Sequence, residues 1–363
     1  MGYDDPSLKE FAGYLTAREP GRRERADAWA TAIGLQAVDG LRPSEYLYEV
    51  AKRHIEGDIT AGKARDLVDD YYETKSGRAL PDDIKEADKV SARIIEVVND
   101  DGFDLSPAYF SALHGLIFED VLKGAGGFRE VNIRKHEWVL KDDSVTYGDW
   151  KAIGSSLDYA FDREKDYSYV RKSRRQVIAH LCRFVAGIWK IHPFREGNTR
   201  TTAVFAIKYL KELGYAVTDN MFKDNSWYFR NALVRACYEN PPKGVARAWE
   251  PLERFFENLL LGKGHELKSR YLLVGLTESQ KKSLSQRQQR GGQKEVVRKG
   301  GQKTGERILV LLADHPHLTR AGLSNALGIC PSAVQKHIAN LKRDGRLRRV
   351  GPDKGGHWAV AKT

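Results

Sequence analysis

Ten residues concentrate the chemistry of this chain: Ile191-His192-Pro193-Phe194-Arg195-Glu196-Gly197-Asn198-Thr199-Arg200. His192 is the one group in the run that can take a proton near neutral pH. Glu196 is a hard oxygen ligand of the kind that holds Mg²⁺ beside phosphates. Gly197, without a Cβ, lets a phosphate approach the backbone. The backbone N–H groups of Gly197, Asn198, Thr199 and Arg200 point out of a helix start, a ready anion site. Arg200 adds a fork of donors suited to phosphate oxygens. A base, a metal carboxylate and an anion cradle in one loop read as phosphoryl or nucleotidyl transfer. The plainer alternative is a structural loop carrying a surface histidine.

Two helices must position these groups. Upstream, Val177, Leu181, Phe184 and Ile188 recur at helical spacing, with Ile178 and Val185 widening the stripe. Downstream, Thr202, Phe205, Ala206, Tyr209, Leu210 and Leu213 repeat the pattern until Gly214, a C-terminal stop. The spacing predicts a tight loop between two buried helices, with Asn198 as the N-cap of the second. Phe194 is expected to anchor the loop in the core.

The loop resembles the Fic family motif, in which histidine, phenylalanine, an acidic residue, glycine, asparagine, glycine and arginine follow in fixed register. His192, Phe194, Glu196, Gly197, Asn198 and Arg200 match it, while Thr199 replaces the second glycine and Ala203 stands where a second arginine is usual. The resemblance implies a mainly α fold: a Fic helical core with a short β-hairpin flap. It also implies transfer of AMP from ATP to a hydroxyl of a target protein. His192 would be the base, Glu196 the Mg²⁺ ligand, and Gly197, Asn198, Thr199 and Arg200 the nucleotide-phosphate cradle. Tyr228 and Asn231, on a helix that lines the adenine pocket in the family, are nucleotide candidates or plain core. Cys237 stands where many relatives carry a nucleotide-contacting asparagine. Two other readings stay open: a DNA-binding regulator with a weak or inert Fic core, and a Fic enzyme transferring a different nucleotide.

Length and charge bound the rest. The 363 residues suffice for two or three domains, and 60 basic against 49 acidic side chains, a net +11, favour acidic partners such as nucleic acid. Cys182, Cys237 and Cys330 show no metal spacing, so a cytoplasmic, reducing setting is expected, with Cys182 a buried small hydrophobe. The acidic start Met1-Gly2-Tyr3-Asp4-Asp5 predicts no signal peptide, and no run of eighteen apolar residues predicts a membrane span.

Four parts are expected along the chain: an N-terminal module over 1–78, the Fic core over 79–276, a basic linker over 277–304 and a winged helix-turn-helix over 305–363. The first resembles the antitoxin-like segment of Fic proteins, with Asp39 and Gly40 as inhibitory candidates; the plainer alternative is a helical cap. Inhibition by filling space is expected rather than an Asp39–Arg200 ion pair, because Arg200 should be committed to phosphate. Helices are predicted at Asp82–Asn99, Ser106–Lys123, Gly148–Phe161, Ser173–Ile191, Asn198–Leu213, Asn225–Tyr238 and Gly244–Leu261. The run from Asn132 to Val145 predicts a hairpin. By resemblance it is the flap that registers the target, through Trp138, Val139 and Leu140.

In the linker, Gly291-Gly292-Gln293-Lys294 recurs as Gly300-Gly301-Gln302-Lys303, a tether that could also brush phosphates. In the last domain Gln335, Lys336, His337 and Arg343 lie on or near the polar face of the third helix, with Arg348 on the wing. That surface suits DNA or, alternatively, a protein. The expected partners are therefore a hydroxyl-bearing target protein and DNA, with a homodimer left open and no membrane.

Overall fold

The computed structural model describes residues 11, 13–15, 19–141, 143–215, 217, 220–276, 305, 308–309, 311–313, 316–327, 331–351 and 357–361. The N-terminal pentapeptide, the linker repeats and Cys330 lie outside the described residues. The chain divides into two compact units, Met1–Lys135 with Val145–Ser269, and His136–Ser144 with Arg270–Thr363. No described helix is long and apolar enough to cross a membrane.

The first unit is helical. Its N-terminal part holds α1 (Pro20–Gln36), a 3₁₀ turn (Ala37–Asp39), α2 (Glu45–Glu56), α3 (Ala61–Glu73) and the single turn α4 (Lys75–Arg78). Their ends follow local chemistry. Ser44 and Thr60 cap α2 and α3 by accepting from Leu47 N and Lys63 N, and Gly57 ends α2 at φ 91°. There follow α5 (Asp82–Asn99), α6 (Pro107–Phe118), α7 (Ile153–Lys165), α8 (Arg174–Ile191), α9 (Asn198–Glu212), α10 (Asn220–Cys237) and α11 (Glu250–Leu261).

The N-terminal helices are built into this core. Gly34 crosses α10 so closely that a Cβ there would stand 2.5 Å from Lys223 Cα. Beside it Ser226 Oγ donates to Gly34 O at 2.7 Å. On the other side, the buried Asp88 carboxylate of α5 accepts from Ser44 N at 2.8 Å and Tyr72 OH at 2.7 Å. A buried carboxylate is tolerated only with such donors.

Several expected boundaries moved. The helix expected to reach Lys123 ends at Phe118, because the buried Arg93 captures the Glu119 carbonyl and Glu119 turns extended. The helix expected from Gly148 begins at Ile153, preceded by a 3₁₀ turn at Trp150–Ala152 that Asp149 caps by accepting from Lys151 N. Pro251 in the first turn delays α11 to Glu250, where a start at Gly244 was expected. Helix α10 begins earlier than expected and kinks at Asn225. Among the described residues the expected β-hairpin is not formed: Trp138–Leu140 make a 3₁₀ turn ended by Lys141 at φ 54°, closed by Glu137 N–H to Asp143 O at 3.0 Å. All three side chains are buried, whereas a strand would alternate them.

In the second unit, α12 (Arg320–Leu327), α13 (Pro331–Arg343), β1 (Leu347–Val350) and β2 (His357–Val360) form a winged helix-turn-helix. The strands are antiparallel, with Leu347 opposite Val360 and Arg349 opposite Trp358. Ile308, Leu312, Leu323, Val334, Ile338, Leu341, Leu347 and Trp358 make its core. Lys336, Arg343 and Arg348 are exposed, and Gln335 and His337 half-buried.

Candidate active site

The loop between α8 and α9 holds His192 in a left-handed conformation, φ 53° and ψ 58°. The buried Arg129 enforces it: Nε donates to His192 O at 2.8 Å, Nη1 to Val131 O at 2.6 Å, and Nη2 to Ile191 O at 3.3 Å and to Gly148 O. The Arg129 backbone N–H adds Pro193 O at 2.8 Å. Nothing in the sequence distinguished Arg129 from a surface arginine. His192 Nδ1 lies 3.1 Å from Trp189 O, which selects the tautomer protonated at Nδ1. Nε2 then carries the lone pair, and it has no hydrogen-bond partner among the described residues. The ring is buried beside Tyr147 at 4.2 Å. Burial holds its pKa well below the ordinary imidazole value, helped by the charge of Lys135. His192 is thus a neutral imidazole.

The cradle differs in detail from expectation. Gly197, not Asn198, is the N-cap of α9, at φ 73°. Asn198 acts as a clamp: Oδ1 accepts from Phe194 N at 3.0 Å and Nδ2 donates to Phe194 O at 2.7 Å. A Cβ on Gly197 would stand 2.5 Å from the Phe118 ring, so packing against an aromatic, besides the backbone turn, demands glycine here. Gly197→Ala is therefore expected to lower stability by about 2 kcal/mol, from left-handed strain and overpacking; chemical denaturation would check it. Thr199 is buried and its hydroxyl accepts from Trp189 Nε1 at 3.0 Å, a packing role for this departure from the motif.

Phe194 anchors the loop, fully buried and stacked 3.8 Å from His114. His114 bridges two loops, accepting from Gly126 N at 2.8 Å and reaching Glu196 O at 3.2 Å through Nε2. Burial pushes its pKa down to about 4, so it stays neutral. Glu196 itself faces solvent, its side chain 64% exposed, with Lys135 Nζ 3.2 Å from Oε2. A single carboxylate of this kind fits Mg²⁺, which takes its remaining oxygens from phosphates and water. Among the described residues no three His, Cys, Asp or Glu gather to hold a metal by themselves.

Arg200 is committed to protein, not left open for phosphate. It is buried, with Nη1 donating to Gln36 Oε1 at 2.9 Å and Nη2 to Glu86 Oε1 at 2.6 Å. Asp39 Oδ2 lies 2.9 Å from Nε, off the line of that N–H, so the contact is an ion pair without an aligned hydrogen bond. The Phe118 ring faces the guanidinium at 4.7 Å. The expectation that Arg200 would be left to phosphate and not pair with Asp39 is corrected by this contact. Arg230, on α10, stands 3.7 Å from Asp39 Oδ1. Sequence reading missed Gln36, Glu86 and Arg230, which are distant in the chain and belong to no local motif. Gly40 at φ 75° only ends the turn that presents Asp39.

Other candidates fall elsewhere. Tyr228 is buried and donates to Pro251 O at 3.2 Å, which joins α10 to α11. Asn231 donates to Trp227 O at 2.8 Å, leaving its buried Oδ1 unpaired. Trp138, Val139 and Leu140 are buried, and Val139 O already accepts from Val274 N at 2.9 Å, so this segment offers no free strand edge at Val139. Cys237 is buried against Ala186 O at 3.3 Å.

Residues 104–210 match the Fic/DOC family, and residues 302–348 match winged helix-turn-helix DNA-binding domains. A probable protein adenylyltransferase of Sinorhizobium fredii is 29% identical over 134 residues, 37% of this chain and 66% of that protein, just under two thirds of its length. A Fic family protein from Desulfovibrio desulfuricans G20 superposes with a TM-score of 0.41 at 14% identity, covering 99% of this chain and 94% of that one.

Proposed function

We propose that this chain is a protein adenylyltransferase that moves AMP from ATP to a hydroxyl side chain of a target protein. The observation that carries the reading is the neutral His192 at the C-terminal end of α8, with Nδ1 turned to Trp189 O and Nε2 unpaired among the described residues. The Sinorhizobium relative, named as an adenylyltransferase, supports the choice of group. His192 Nε2 takes the proton as the target oxygen attacks the α-phosphorus. The bond to the leaving pyrophosphate breaks, and the first turn of α9 with Arg200 faces the developing charge. Glu196 would hold Mg²⁺; with it bound, charge on the leaving phosphates is neutralised. Arg200 must first be released from Asp39, so the N-terminal segment restrains the enzyme.

The test is incubation of the full chain with α-labelled ATP, Mg²⁺ and a lysate. Label on protein is expected, and Glu196→Gln should lower its rate about a hundredfold. Undiminished label with that variant removes Glu196 from the site.

A second reading, a DNA-binding function alongside catalysis, is favoured by the exposed Lys336, Arg343 and Arg348 on α13 and β1. Fluorescence anisotropy with duplex DNA should show affinity falling steeply with salt, and Lys336→Ala should flatten the log–log slope by about one. Absence of binding at low salt would favour a protein partner for this surface.

A further inference from the structure

The C-terminal end of α8 is closed from outside the helix. A helix leaves its last carbonyls without partners of its own, and the residues just after it ordinarily supply the missing N–H groups. Here they cannot: Pro193 has no N–H, and the Phe194 N–H is given to Asn198 Oδ1 at 3.0 Å. The partners come from two distant segments instead. Gly148 N donates to Lys190 O at 3.2 Å, and the Arg129 guanidinium donates to Ile191 O at 3.3 Å and to His192 O at 2.8 Å. The Arg129 backbone N–H takes Pro193 O at 2.8 Å. Trp189 O is then the carbonyl left to the imidazole, and His192 Nδ1 lies 3.1 Å from it.

We infer that Arg129 is the positioning residue of His192: by capping α8 it holds His192 left-handed and so decides which ring nitrogen is left to take the proton. The inference rests on His192 being the base of the proposed transfer, and it names the group that aims that base. A histidine at φ 53° carries a Cβ in a region that favours glycine, so the conformation persists only where the surroundings over-determine it. A guanidinium suits the task. Its rigid fork also gives Nη1 to Val131 O at 2.6 Å and Nη2 to Gly148 O, which ties both capping segments to the helix end. All four acceptors are main-chain carbonyls, and two of them stand at a helix C-terminus, which favours a cation. A lysine ammonium is a compact charge whose three donors cannot span the same four oxygens. Gly148 is the second half of the cap, since a Cβ there would stand 3.1 Å from Ile191 O and push the helix end away.

Two readouts on the full chain test the role. The first is the nitrogen NMR signal of the His192 ring, identified by its loss in His192→Asn. The second is kcat and KM for ATP in the label-transfer assay. Wild type is expected to show a single neutral tautomer, protonated at Nδ1. Arg129→Lys keeps the buried cation but not the fork. It should mix the two tautomers and lower kcat about a hundredfold, the scale of a misplaced reacting group, with KM for ATP unchanged. Gly148→Ala should act in the same direction and more weakly. Arg78→Lys, on an exposed arginine of α4 paired with Glu73, should move neither readout. Circular dichroism of each variant checks the fold. The positioning role is overturned if folded Arg129→Lys keeps the single tautomer or keeps the wild-type kcat. Should Arg129→Lys fail to fold, the same outcomes in Gly148→Ala overturn it. Mixed tautomers in Arg129→Lys, in a protein whose wild type transfers no label, would sink the adenylyltransferase reading alone. Label transfer that Arg129→Lys leaves intact would sink the positioning role alone.

Discussion

Replacing His192 with alanine is expected to reduce label transfer about a thousandfold, the scale of losing a positioned general base. Because His192 sits at φ 53°, alanine also adds local strain, so His192→Asn is the better companion. Asparagine tolerates the left-handed region yet cannot take the proton. Both variants should lose transfer while their circular dichroism stays native. The same residue sets the pH dependence. In the proposed mechanism its neutral form is the active base, and protonation on the acid side inactivates it. Burial lowers its pKa, so the acid limb of kcat/KM should lie below about 6.5, the unperturbed imidazole value. A limb at or above that value would argue that the base in the working enzyme is a different group or an exposed one.

Asp39→Ala is the second large effect, in the opposite direction. Asp39 is a third exposed and contacts Arg200 and Arg230, so its loss should raise the rate of self-labelling about tenfold. The rise is partial because Glu86 still holds Arg200 at 2.6 Å. Deleting the whole N-terminal segment is not an equivalent test. It would strip α10 of the helix that crosses it at Gly34, and leave the buried Asp88 without Ser44 and Tyr72. It would also expose the apolar faces of α5 and α10 that the N-terminal helices cover, so a truncated chain is expected to unfold rather than activate. Self-labelling that does not change in a folded Asp39→Ala variant would show that Asp39 restrains nothing.

The sequence by itself determined the helices and the chemical loop. Periodic apolar positions such as Val177, Leu181, Phe184 and Ile188, together with the Ser173 cap, mark α8 because side-chain period and capping are local properties. Asp82–Asn99 was legible for the same reason. His192, Glu196 and Arg200 were legible because their types and spacing fall in one loop. The winged helix-turn-helix was readable from its apolar spacing and the two glycine-bounded strands, the first of them basic.

Only the tertiary structure decided what those groups face. Arg129, His114 and Phe118 shape the loop from positions 63, 82 and 79 residues away from His192, Glu196 and Gly197 respectively. The partners of Arg200 come from Gln36, Asp39 and Glu86, more than a hundred residues upstream. No local pattern announces such contacts, because they arise where α1, α5, α9 and α10 cross. The segment at Trp138–Leu140 misled for the complementary reason. Its β-branched and bulky residues favour a strand, but strand formation needs a neighbouring ladder, and burial of three successive side chains favoured a 3₁₀ turn instead. Chemistry was written in the sequence; whether the arginine of that chemistry meets a phosphate or a carboxylate depends on which helix packs against it.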